Sequence, residues 1–149
     1  MKKFNFPLEK VLRFRTSLLD EEKNKLAELR RDVIETENKI DDCRRQMAES
    51  DLELKESAVK GTTIQRIQIL NFQIDNARKM IEELEKQLKK QQLLVERQLG
   101  VVLEATKDVN GLERLKEKQR EEYNEAVRKE DDLTISELVS SQYVRDHSQ

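Results

Sequence analysis

The chain has 149 residues, of which 40% are Asp, Glu, Lys or Arg and only 36% are apolar, with three Gly, one Pro, one Cys and no Trp. An ordinary globular core needs more apolar volume and its loops more Gly and Pro. Disorder would leave the apolar residues without pattern, which they are not. Twenty-nine basic residues against 31 acidic ones leave a formal charge of −2, too little field to recruit a nucleic acid.

The first residues, Met1-Lys2-Lys3-Phe4-Asn5-Phe6, imitate the basic start of a secretion signal, but Pro7, Glu9 and Lys10 interrupt any apolar stretch. No cleavable signal and no membrane span are expected, since apolar runs reach only a few residues. A single Cys gives no disulfide framework. These features point to a cytoplasmic protein.

A first helix is expected over about 7–57. Along it Leu12, Leu19, Leu26, Val33, Ile40, Met47 and Leu54 recur every seventh residue. Two helical turns take slightly more than seven residues, so such a stripe drifts unless the helix supercoils against a partner. Three residues after each rung stand Arg15, Glu22, Leu29, Thr36, Cys43, Ser50 and Ser57, a weaker second line. Cys43 falls on that line, where a small buried thiol is the ordinary reading.

A turn is expected over 58–62. Gly61 can take the left-handed conformation that ends a helix. Thr62 followed by Gln65 has the spacing of a capping box. A second helix, about 63–131, carries Ile67, Ile74, Ile81, Leu88, Val95, Val102 and Val109, with Leu70, Ala77, Leu84, Gln91, Gln98, Ala105 and Leu112 beside them. Folded back, the arms form an antiparallel coiled coil whose preferred register pairs Leu12 with Leu112, Leu19 with Ala105, Ile40 with Leu84, Met47 with Ala77 and Leu54 with Leu70, a slip of one heptad being the other register open to it. The alternative is one continuous helix in a parallel dimer. Local bending is expected near Gly100 and the Asn110-Gly111 pair, because Gly costs about 1 kcal/mol within a helix.

The second helix outruns the first by roughly 15 residues, about 22 Å. Leu133-Thr134-Ile135-Ser136-Glu137-Leu138 then reads as a new start, with Thr134 capping and Leu133 stapled to Leu138. A short third helix is expected over about 135–144, with Asp146 to Gln149 frayed. The whole reads as one all-α domain, 1–149.

Little here can support catalysis. His147 stands alone near the end, the three glycines build no phosphate loop, and the carboxylates lie on exposed faces. No catalytic residue, metal site or cofactor site is expected. What remains are apolar residues off the stripes. Ile69 and Phe72 lie on the outer face just past the turn, either as ordinary exposed side chains or as a docking patch. Phe4, Phe6, Val11, Phe14 and Leu18 add apolar bulk at the opposite end, as a satellite core, a contact surface, or both.

Phe4-Asn5-Phe6-Pro7-Leu8-Glu9-Lys10-Val11-Leu12-Arg13-Phe14-Arg15 resembles the opening of the FliJ family of flagellar export proteins. Leu112-Glu113-Arg114-Leu115-Lys116-Glu117-Lys118-Gln119, Tyr123 and Glu130-Asp131-Asp132-Leu133-Thr134-Ile135 resemble its close. The resemblance implies a stalk-like hairpin of the type III export apparatus, serving flagellum biogenesis and motility at the cytoplasmic face of the membrane. It implies a hexameric export ATPase, the cytoplasmic domain of the export-gate protein, and export chaperones as partners, without chemistry of its own. The ends of the stalk would enter the ATPase ring, which makes Phe4, Phe6, Val11, Phe14, Leu18, Tyr123, Leu133 and Leu138 the candidates there. Ile69 and Phe72 are the candidates for the gate. Phe72 matches an aromatic of the family's gate patch, whereas Asn76, Lys79 and Glu83 are more polar than that patch. A homodimeric scaffold without an ATPase is the competing reading. A prefoldin-like holdase lacks support, since no strand pattern is present.

Overall fold

The computed structural model describes residues 2–148, which contain two long helices, α1 (Glu9–Lys60) and α2 (Ile64–His147), and no strand. The contacts divide the chain into two units, Met1–Asp20 with Glu104–Gln149, and Glu21–Leu103.

Pro7 cannot donate a backbone hydrogen bond, and α1 starts two residues after it, with the amide of Glu9 bonded to the Phe6 carbonyl at 3.1 Å and that of Leu12 to Leu8 at 2.9 Å. The helix runs three residues beyond the expected end. Ala58, Val59 and Lys60 carry no breaker, and Gly61 is the first residue able to adopt the φ of +84° found there. Its amide closes the last turn on the Ser57 carbonyl at 2.8 Å, an αL stop.

The cap of α2 lies one residue later than expected. The hydroxyl of Thr63, not Thr62, accepts the amide of Arg66 at 3.2 Å. Arg66 occupies the position where a capping box needs Glu or Gln. It sends its guanidinium across to Glu53 instead, at 3.0 Å.

In the unit Glu21–Leu103 the two helices pack antiparallel. Arg66 meets Glu53, Ser50 donates to Gln73 at 3.1 Å, Arg44 reaches Glu85 at 3.5 Å, and Gln98 bonds the Glu22 carbonyl at 2.9 Å. In the other unit Arg15 pairs with Asp108 at 3.6 Å and Lys116 with Glu9 at 2.9 Å. Gln73 and Asp108 stand next to Ile74 and Val109, the residues that the expected register sets opposite Ser50 and Arg15.

Burial follows the heptads. Leu12, Leu19, Leu26, Ile40, Val102 and Val109 are buried, and every other rung except Ile67 is half-buried. The second line contributes Cys43, Leu70 and Ala77, together with two buried polar residues. Thr36 returns its hydroxyl to the Asp32 carbonyl, and Ser50 bonds Gln73, so neither hydroxyl is orphaned.

The separate third helix is not formed. α2 continues unbroken to His147, and the Thr134 hydroxyl bonds the Glu130 carbonyl one turn back rather than capping a new start. No Gly or Pro stands between Glu130 and Leu138, so the backbone has no reason to stop. The helix also passes through Gly100 and Gly111 without interruption, neither having a positive φ. Of the residues expected to fray, Asp146 and His147 are helical and Gln149 lies outside the described residues.

Candidate interaction surfaces at the turn and at the termini

Near the turn, the two-residue step from Leu70 to Phe72 separates core from surface. Leu70 is fully buried, at 0% exposure, and anchors the first turns of α2 against α1. Phe72 is 200° further round the helix and is 70% exposed. Ile69 is exposed beside it. Gln65, Gln68, Ile69 and Phe72 line one shallow depression, and Phe72 also borders a second formed with Glu49, Ser50, Asn76 and Met80. The structure thus brings the two gate candidates together.

Three further exposed apolar residues surround this end and were not singled out from the sequence: Leu52, Val59 and Ile64. The signal was present, since none lies on the seven-residue stripe. They are scattered over both helices, however, and only the position of the turn gathers them.

The unit holding the termini is built differently. Residues 2–8 are not helical and lie against α2. Phe6 is buried, the Phe4 ring stands 5.6 Å from that of Tyr123, and the guanidinium of Arg120 lies 5.4 Å from the Phe4 centroid, a cation–π contact. The Tyr123 hydroxyl donates to the Lys2 carbonyl. Lys116 hydrogen-bonds the Glu9 carboxylate and holds its pKa below the ordinary 4.5. In the other unit, Gln98 does the same for Glu22. Both shifts come from a hydrogen bond to the charged form.

The candidates at the termini therefore separate. Phe4, Phe6 and Tyr123 form a clasp with little surface left, and Leu18 is half-buried. Val11 and Phe14 are exposed on the outer side of α1. Leu133 and Leu138 are each 65% exposed, on a stretch in which every described residue from Arg128 to Ser148 is exposed. There His147 stacks on Tyr143 at 4.0 Å. Among the described residues, no group of three or more His, Cys, Asp or Glu is placed to hold a metal ion. No helix among them is long and apolar enough to cross a membrane.

Comparison with known proteins bears on these surfaces. No curated protein and no solved structure matches the chain. The family model for the flagellar FliJ protein matches residues 4–148, from the aromatic clasp through the turn to the end of α2. The chain belongs to the FliJ family and is a component of flagellar protein export.

Proposed function

We propose that the protein is a non-enzymatic, stalk-like coiled coil of the type III export apparatus. It works in the cytoplasm, at the membrane face of the flagellar base. Its terminal end engages the export ATPase hexamer, its turn end engages the cytoplasmic domain of the export gate, and it assists delivery of chaperones and their substrates. The observation that carries this reading is an aromatic left 70% exposed, two residues from a fully buried Leu, in a chain of this family. An exposed Phe beside an exposed Ile loses nothing structural when a partner covers it, and gains the transfer energy of its ring.

For the ATPase end, the exposed candidates are Val11, Phe14, Leu133 and Leu138. Phe4, Phe6, Tyr123 and Leu18 are the covered ones. No transfer of atoms is assigned to the chain, which acts by occupying two partners.

The test is Phe72→Ala. Helicity and stimulation of the purified export ATPase stay at wild-type level, while affinity for the purified gate domain falls about tenfold, the cost of losing one anchor. Unchanged gate affinity would remove the assignment of the turn end. Failure of the wild-type chain to bind or stimulate the ATPase would remove the other half.

A further inference from the structure

The gate reading uses only α2. Yet Leu52 and Val59 on α1 are seven residues apart and hold the same heptad position as Phe72, two residues before a seam position. That position points away from the partner helix, so the two sets of side chains look outward from opposite sides of the paired arms. Leu52 is 58% exposed and Val59 is 88% exposed, and Ile64, at the start of α2, is 75% exposed. An apolar patch on one face needs only a flat partner. Apolar side chains on both faces and at the turn need a partner that encloses the end.

An independent observation concerns charge. Glu49 and Glu56 precede Leu52 and Val59 by three residues, and Glu49 also lines the depression that Phe72 borders, so the carboxylates stand between the two apolar sides. They end an acidic line that begins at Glu21 and recurs every seventh residue. Among the described residues neither has an ion-pair partner, although their neighbours do, Asp51 with Lys55 at 3.1 Å and Glu53 with Arg66. The outer side of α1 therefore presents apolar groups next to uncompensated carboxylates.

We infer that the turn end is a two-sided wedge that inserts into a cleft of a protein partner, with apolar walls against Phe72 on one side and Leu52 and Val59 on the other, and with Lys or Arg where the cleft meets Glu49 and Glu56. This rests on the gate reading and adds α1 to it. Two other occupants fit less well. An anionic lipid surface would meet Glu49 and Glu56, which it repels. A second copy docked end to end would offer a handful of side chains, well short of the ~1,000 Å² that a stable interface buries.

The test measures binding of the full chain to the purified gate domain by calorimetry, with melting curves as the folding control. Leu52→Ser combined with Val59→Ser weakens binding about tenfold without shifting the melting temperature, since both side chains are exposed. Glu49→Lys combined with Glu56→Lys weakens it as well and reduces its dependence on salt. Full affinity in the Leu52/Val59 variant, with Phe72→Ala still defective, overturns the wedge and leaves the gate reading standing. Full affinity in all three variants removes the gate reading and the wedge together. Binding of the wild-type chain to phosphatidylglycerol vesicles, lost in the Leu52/Val59 variant, overturns the protein cleft as the occupant.

Discussion

Phe6 and Phe72 are both aromatic residues off the seven-residue stripe, each close to an end of α1 or α2, and the protein treats them in opposite ways. Phe6 is 5% exposed and Phe72 is 70% exposed. The difference lies in the chain around them. Beside Phe6 a non-helical segment, residues 2–8, lies back over α2 and places Phe4 on Tyr123. Near Phe72 the connection between helices is only three residues long, 61–63, and has nothing to fold over the ring. A covered aromatic is stabilising structure. An uncovered one is available to a partner.

Substitution should separate covered from uncovered side chains most strongly at Leu70 and Phe72. Leu70→Ala, at a fully buried site, costs about 2–5 kcal/mol and lowers the melting temperature sharply, whereas Phe72→Ala stays within ~0.5 kcal/mol of wild type. Equal melting temperatures would erase the contrast between core and surface. Phe6→Ala should cost about 3 kcal/mol, felt locally as faster amide exchange around Tyr123 and Lys116 rather than near the turn.

The turn itself offers a smaller effect. Gly61→Ala forces a side chain into a left-handed φ and costs about 1 kcal/mol. Thr63→Ala removes the observed cap and costs ~1 kcal/mol, while Thr62→Ala is nearly neutral. The reverse order would restore the cap expected from the sequence.

Acid weakens both units by the same chemistry. Glu9 and Glu22 have carboxyls held below the usual value of 4.5, through Lys116 and Gln98 respectively. The unfolded chain therefore takes up these protons first as pH falls. The stabilisation is complete above about pH 4.5 and is lost as pH drops through the lower folded values. Melting temperature followed from pH 7 to pH 3 shows this loss, and Lys116→Met or Gln98→Leu makes the acid limb shallower.

Much of the fold was legible because a single repeat encodes it. The stripe from Leu12 to Leu54 and the one from Ile67 to Val109 predict which residues are covered, and only Ile67, one turn from the helix start, escapes. Gly61 announces the turn because no other residue nearby tolerates a positive φ. The capping residue slipped by one because Thr62 and Thr63 offer the same hydroxyl, and only the backbone path decides which one accepts. The expected break at Thr134 failed because a capping signature competes poorly with an uninterrupted helix that has no Gly or Pro to stop it.

The candidate surfaces were less legible. Phe4 and Phe72 are chemically alike, and nothing local says that one will find Tyr123 and the other solvent. Leu52 and Val59 gained meaning only when the turn placed them on the far side from Phe72.

The most direct test of the account is cross-linking of Leu12→Cys with Leu112→Cys in a Cys43→Ser background. The chain turned back at Gly61 predicts a disulfide within single molecules, with the mass of a monomer. Cross-links found only between chains would contradict it, and the exposed turn end would then have no basis.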